Sequence, residues 1–431
     1  MEEVRFNVII IGGGLSGLAA AYTLAEAGQE VLLLEKGDYC GAKNVTGGRM
    51  YVSLIRDFFP AIWAKAPLER AIVQEELCLM SPGSSILIRY NDADIASEPY
   101  QSYSVCRAKF DKYFAKQAEK KGALITVKKK VDSLVFKDGK VDGVVAGGET
   151  LYADVVICCD GALSLFAQQA YLQKPLNPKH FAVGFKEIIE LAPETLENRF
   201  NLLPGQGAAR LYMGDVTEGK FGGGFLYTNK ESVSLGLVLG LEALCQEEPR
   251  TKAPDLLERF KKRPEVAALI AGGQTAEYSA HVIPEGGYDH LSKLFGDGIL
   301  VAGDAAGFSI NAGITVRGME YAMFSGYIAA WAAIKAAGTG DYSAESLSVY
   351  ERMLADSFLM QDFKEYRHVT ESLNHKRFFT YYPELAGKIM HGLYAMPNGP
   401  KARITPTLRR SVGVRNVPDM LLKDLPKVVK L

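Results

Sequence analysis

Cysteine is scarce in this chain and nowhere arranged as a ligand set. Six occur in 431 residues, at Cys40, Cys78, Cys106, Cys158, Cys159 and Cys245, and no two are spaced as CxxC. That pattern argues against a zinc site or an iron–sulfur cluster in this chain. It reads instead as reduced, mostly buried thiols of a cytoplasmic protein. Long apolar runs are missing too. Outside residues 7–36 no stretch of about 18 to 20 residues is continuously apolar, so no bilayer span is expected. No leader-like segment precedes the run Val8–Ile11, so no export signal is expected either. The net charge is only −1, which gives nucleic acid no general electrostatic hold. No internal repeat or low-complexity block is visible. What remains is ordinary globular composition, 48% apolar and 23% charged, in a length that suggests two or three lobes. Charge is uneven only at the end. From Lys376 to Leu431 there are eleven Lys/Arg against three Asp/Glu, a pattern that suits an anionic surface, an acidic partner or plain solvation.

The first forty residues carry the sharpest signal. Phe6–Ile11, interrupted only by Asn7, is an apolar run, as in a parallel strand buried on both faces. Gly12-Gly13-Gly14-Leu15-Ser16-Gly17 follows at once, and Leu18, Ala21, Tyr22, Leu24 and Ala25 then give a helix its apolar stripe. Gly28 can end that helix, and Glu30–Leu34 reads as the second strand. In such a unit Gly12 permits the tight turn, Gly14 lets backbone amides approach a pyrophosphate, and Gly17 lets helix pack on strand. The phosphates then meet the positive end of the helix dipole. Glu35 closes the second strand about twenty residues on, placed to accept hydrogen bonds from a ribose and to repel a 2′-phosphate. Strand, glycines, helix, strand and acid together specify a dinucleotide site.

A second apolar strand runs into Gly303-Asp304-Ala305-Ala306-Gly307, then a loop to Gly313 and a long helix expected from about Arg317 to Ala337. This resembles the second FAD fingerprint of the glutathione-reductase-like and hydroxybenzoate-hydroxylase-like flavoproteins. The resemblance implies that Asp304 holds the ribitol and that amides from Gly313 and Ile314 to Thr315 face the flavin's N1/O2 edge, where they would stabilise negative charge. Arg107, before a helix, resembles the residue that reaches the FAD pyrophosphate in these proteins; an exposed capping arginine is the plainer alternative. Asp160-Gly161, after the strand Asp154–Cys159, resembles the segment that closes over the dinucleotide, and a simple strand-to-turn reading fits nearly as well.

The stretch Lys36-Gly37-Asp38-Tyr39-Cys40-Gly41-Ala42-Lys43-Asn44-Val45-Thr46-Gly47 closely resembles the FAD-contacting loop of the FixC-type, short electron-transfer-flavoprotein:quinone oxidoreductases. Phe181–Glu187, Gly222-Gly223-Gly224-Phe225 through Thr228, and Gly303–Gly318 are similar to the same family, in order, from Phe6 to about Pro406. The glycines from Gly222 read as a bend that brings backbone close to a flat ligand, and Ser232–Leu239 as a strand. Together they would wall a quinone-sized apolar pocket. The resemblance implies electrons passing from a two-subunit electron-transfer flavoprotein, through a separate small ferredoxin-like protein, to FAD and then to a quinone. The long members of this family carry a [4Fe–4S] domain, whereas no cysteine follows Cys245 here, so such a cluster is expected on a partner. No acid or base residue is assigned, because the cofactor performs the chemistry.

The expected fold is α/β, a Rossmann-type FAD domain from 1–75, 103–170 and 295–345, with an antiparallel-sheet quinone domain from 76–102 and 171–294. Residues 346–431 form a helical C-terminal region. A lipid-soluble quinone implies a cytoplasmic protein seated on the inner face of the cell membrane. Phe378-Phe379-Thr380-Tyr381-Tyr382 and Ile389–Met396, beside Lys376, Arg377 and Lys388, suit an interface or, equally, a helix packed on the protein. Two other functions fit the same motifs: a geranylgeranyl-reductase-type isoprenoid lipid reductase, and a non-catalytic electron-relay subunit of a flavoprotein complex.

Overall fold

The computed structural model describes residues 5–44, 47–246, 252–413 and 416–428. The apolar run at the start forms strand Arg5–Ile11, whose Ile9 and Ile10 are fully buried, each burial contributing about 1.5–3 kcal/mol. It pairs in parallel with Val31–Leu34 on one side and Glu149–Cys158 on the other. Leu124–Thr126 and Ile299–Val301 extend the parallel set at its two ends. The antiparallel hairpin Val131–Lys137 and Lys140–Ala146 joins beside Glu149–Cys158. Parallel strands need cover on both faces. Helix Leu15–Glu26 supplies part of it and packs against both Arg107–Lys120 and the long helix Met319–Thr339.

The second sheet runs in the order Gln274–Pro284, Phe181–Glu190, Ser232–Gly240, Gly222–Thr228, Gln206–Gly214, Ala71–Ser81, Ser102–Val105 and Gly48–Tyr51, with Ser84–Asn91 beside Ala71–Ser81. Phe185, Tyr212, Leu235 and Leu237 fill a core beneath Pro193–Phe200, Ala253–Lys262 and Pro264–Ile270. Three sequence expectations need correction. Gly48–Tyr51, the start of Ala71–Ser81 and nearly all of Ser102–Val105, expected in the nucleotide domain, belong to this second sheet. Their partners lie far along the chain, and local pattern carries no record of a non-local pairing. The sheet is not wholly antiparallel: Gln206–Gly214 lies parallel to Ala71–Ser81, as the long crossover between them permits. Residues from Gly222 form a strand rather than a bend.

C-terminal to Met319–Thr339 the chain is helical. Helix Tyr381–Tyr394 lays Pro383, Leu385 and Gly387 onto the second sheet, so residues 376–396 are partly core. Beyond this face Tyr394, Met396, Ile404, Leu421 and Leu422 are exposed. No helix among the described residues is long and apolar enough to cross a membrane.

Candidate functional site

A cavity of about 870 Å³ opens between the two sheets, toward the upper end of the range for small-molecule sites, about 300–1,000 Å³. One end is built by the parallel sheet. Strand Arg5–Ile11 stops at Gly12, whose φ of +104° is open to glycine, and a Cβ there would lie 2.3 Å from the Cys159 carbonyl oxygen. Gly17 packs against the Gly12 carbonyl, where a Cβ would sit at 2.0 Å. Helix Leu15–Glu26 begins with Gly14 as its cap, without a side-chain cap and without an acid in its first turn. Gly12, Gly14, Leu15 and Ser16 line the cavity, so the helix end faces it with no anionic side chain of its own. The buried Glu35 carboxylate accepts the Gly13 amide at 2.7 Å and the Gly37 amide at 2.5 Å. Two spare lone pairs remain for a ribose. Lys36, Lys43, Asn44 and Gly47 line the same region. Gly41 does not; its Cα packs against Asp111, and Ala42 is likewise absent from the lining. Val45 and Thr46 lie outside the described residues.

Arg107 lines the cavity and is held from behind. Its Nε and one terminal nitrogen each donate to Asp111 at 2.8 Å, and Asn44 Nδ2 donates to the same carboxylate at 2.8 Å. Asp111 is fully buried, so it aligns two cavity residues 63 positions apart. Asp160 and Gly161 line the cavity from the end of strand Glu149–Cys158. Burial pushes the Asp160 carboxyl up to about 6, and its Oδ1 is buried without a hydrogen-bond partner. Asp304 enters from the short turn Gly303–Ala306. Burial raises its pKa, with His281 and Arg107 opposing. Gly303 itself is buried behind, its amide donating to Ser325 Oγ at 3.0 Å.

The loop after Asp304 differs from expectation. Gly313 and Ile314 line the cavity, but their amides are engaged within the loop. Gly313 N donates to Asn311 Oδ1 and Ile314 N to the Ala312 carbonyl, both at 3.0 Å. The cause is a two-stranded ribbon, Ile310–Asn311 with Val316–Arg317, which also delays the helix to Met319.

The other end of the cavity is largely apolar. Gly222, Gly223, Gly224 and Phe225 line it, with Leu77, Leu211, Met213, Phe221 and Val238, and Phe378 and Phe379 arrive from the C-terminal region. The three glycines are small for an internal reason as well. A Cβ at Gly222 would lie 2.0 Å from the Val238 carbonyl, one at Gly223 2.7 Å from that of Tyr212, and one at Gly224 2.9 Å from the Phe260 ring. Sequence reasoning missed Asp111, Arg49, His281, Glu285 and Arg317. The last four line the cavity. An acid four residues after Arg107 on a helix was the one visible hint of Asp111.

A buried, unpartnered carboxylate oxygen and an uncapped helix end on one glycine-lined cleft fit a ligand that carries both hydroxyls and a diphosphate. FAD is such a molecule.

Comparison with known proteins agrees. Residues 7–77 match the family model "FAD dependent oxidoreductase", and residues 181–283 match "ETF-QO, ubiquinone-binding". The chain is 44% identical over 396 residues to Protein FixC of Escherichia coli K12, covering 92% of each chain. It is 38% identical over 427 residues, 98% of each chain, to the probable electron transfer flavoprotein-quinone oxidoreductase YdiS of the same organism. Protein FixC of Azorhizobium caulinodans is 37% identical, with 96% of each chain covered. Among solved structures, a geranylgeranyl bacteriochlorophyll reductase-like protein from Thermoplasma acidophilum shares the fold with a TM-score of 0.72, at 19% identity and covering 98% of this chain and 99% of its own. With these relatives aligned over nearly all its length, the chain belongs to the FixC family of FAD-dependent, electron-transfer-flavoprotein:quinone-oxidoreductase-like enzymes.

Proposed function

We propose that this enzyme accepts electrons from an electron-transfer flavoprotein and delivers them to a quinone at the apolar end of its cavity. One observation carries the reading: a single cavity joins the glycine-and-acid end to an apolar chamber, and most of that chamber's sheet lies within residues 181–283. The bound FAD supplies the electron exchange; the chain's own residues bind, orient and exclude water. In this reading the amides at Gly14, Leu15 and Ser16, with Arg107, hold the diphosphate. Glu35 accepts from the adenosine ribose and Asp304 from the ribitol. Asp160 and Gly161 close over the dinucleotide, and Lys36, Lys43, Asn44 and Gly47 flank it.

A separate ferredoxin-like protein completes the electron path in this proposal, and the quinone is reached from the bilayer. The exposed Tyr394, Met396, Ile404 and Leu422, interleaved with Lys401, Arg403, Arg409 and Arg410, support docking on the anionic inner face of the membrane, because such a surface buries apolar groups beside cations. The likeness to the geranylgeranyl-reductase-like structure supports the fold alone. Assaying the purified flavoprotein, alone and with its ferredoxin-like partner, separates the readings. Quinone reduction by the pair is expected. A pair whose FAD is reduced and reoxidised while no quinone is consumed would favour a relay subunit, and saturation of an isoprenoid double bond would favour the lipid reductase.

A further inference from the structure

The outer strand of the second sheet, Gln274–Pro284, turns His281 and Ile283 into the cavity, and Glu285 follows at the next alternate position. The Glu285 amide is tied to the His180 carbonyl at 2.7 Å, which fixes the backbone from which its side chain projects. Glu285 is 5% exposed, and among the described residues its carboxyl has neither a hydrogen-bond donor nor a cation. Among the described residues most other buried acids are held, although one oxygen each of Asp160 and Glu320 is also unpartnered. Glu35 takes two amides, Glu69 takes Lys109 and an amide, Glu76 takes two arginines, Asp111 takes Arg107 and Asn44, and Glu320 takes Arg317. A bare carboxylate in such a place is costly, so the group keeps its proton. Burial alone pushes it up to about 8.

We propose that Glu285, on the wall of the cavity shared by the nucleotide end and the apolar chamber, is the proton donor for the acceptor, handing its carboxylic proton to a carbonyl oxygen of the bound quinone as the quinone is reduced. This rests on the quinone reading above. In the step an O–H bond forms on the quinone oxygen and the Glu285 O–H bond breaks. Reduced FAD is oxidised and supplies the two electrons together with the second proton, so the quinone leaves as the hydroquinone. Solvent returns a proton to the Glu285 carboxylate before the next turnover. Titratable groups on the same cavity wall are His281 on its own strand, Asp304 from the turn Gly303–Ala306, Arg317 from the ribbon and Tyr366 from the C-terminal helices, and none of them perturbs the Glu285 carboxyl, which burial alone shifts. Behind it His180 and His290 are stacked at 3.5 Å.

Glu285→Gln keeps the shape and removes the acid, and Glu285→Asp keeps an acid at shorter reach. With FAD content per chain as the folding check, E285Q is expected to lower quinone reduction roughly a hundredfold, within the usual range for losing a general acid. Its deficit towards ferricenium, which takes no proton, is expected to be at least tenfold smaller than that. E285D is expected to recover part of the quinone rate. Wild-type activity should fall as pH rises through about 8, and the residual E285Q activity should lose that fall. Infrared difference spectra at neutral pH should show a protonated-carboxyl band in wild type that E285Q lacks. A quinone-active wild type matched by E285Q in rate and pH profile, or the absence of that band, overturns the role of Glu285 and leaves the quinone reading standing. A wild type that reduces no quinone overturns both.

Discussion

Asp111 touches no ligand on its own account, yet it grips Arg107 and Asn44 together. Replacing it with alanine strips both of their anchor and leaves a partly buried guanidinium short of a partner, with charge-assisted hydrogen bonds worth about 1.5–3 kcal/mol each lost. Asp111→Ala is therefore expected to weaken FAD binding at least tenfold, read by fluorescence titration of the apoprotein. Unchanged affinity would remove Arg107 from the diphosphate site. Lys186 offers a pH test at the same scale. It is fully buried, its Nζ donates to the Gly47 carbonyl, and burial lowers it from 10.5 to about 7. Between those values the folded state binds fewer protons than the unfolded chain, so this group's contribution to stability rises with pH across that window. The difference in Tm between wild type and Lys186→Met should accordingly shift in favour of wild type between pH 7 and pH 9. A constant difference would contradict it. Residues of the glycine turn, Glu35 and Asp304 were legible because their signal is local: strand, turn and acid fall within one short window. Asp111, Lys186 and Glu285 were not, since each matters through a partner or a cavity that folding brings near.

Elements tell a similar story. The parallel strands Arg5–Ile11, Val31–Leu34 and Ile299–Val301 announced themselves as apolar runs, while the short Leu124–Thr126 gave no such signal. Gly222–Thr228 did not, because three leading glycines imitate a turn, and only the neighbouring Val238 and Tyr212 carbonyls and Phe260 ring explain them. The C-terminal segment is the other case. Near its end Asp424, fully buried, is hydrogen-bonded to the His375 ring Nε2 at 2.7 Å and accepts from Arg377 Nε at 2.9 Å and the Tyr382 hydroxyl at 2.6 Å. That acid clamps the turn that carries Phe378 and Phe379 into the cavity wall. Asp424→Asn weakens charge-assisted bonds worth about 1.5–3 kcal/mol each. Steady-state kinetics should then show a KM for quinone raised severalfold, with a smaller change in kcat. A fall in kcat at unchanged KM would mean that this wall does not meet the acceptor.

For the whole molecule, the cavity exists because two sheets share one chain in alternation. Strands from residues 48–51, 71–81 and 102–105 leave the nucleotide half to complete the second sheet. The sequence order of motifs conveyed the α/β class and the cofactor, while the domain boundaries depended on non-local strand pairing. That interleaving also makes the glycine-and-acid end and the apolar chamber one space, so in the proposed function an acceptor entering the chamber would meet the cofactor directly. The most direct check is anaerobic. The purified, FAD-loaded protein is reduced to completion, mixed with a short-chain ubiquinone analogue, and followed by the return of oxidised-flavin absorbance. The expected result is full reoxidation with one quinone consumed per FAD. Flavin that stays reduced in the presence of excess quinone would contradict the account.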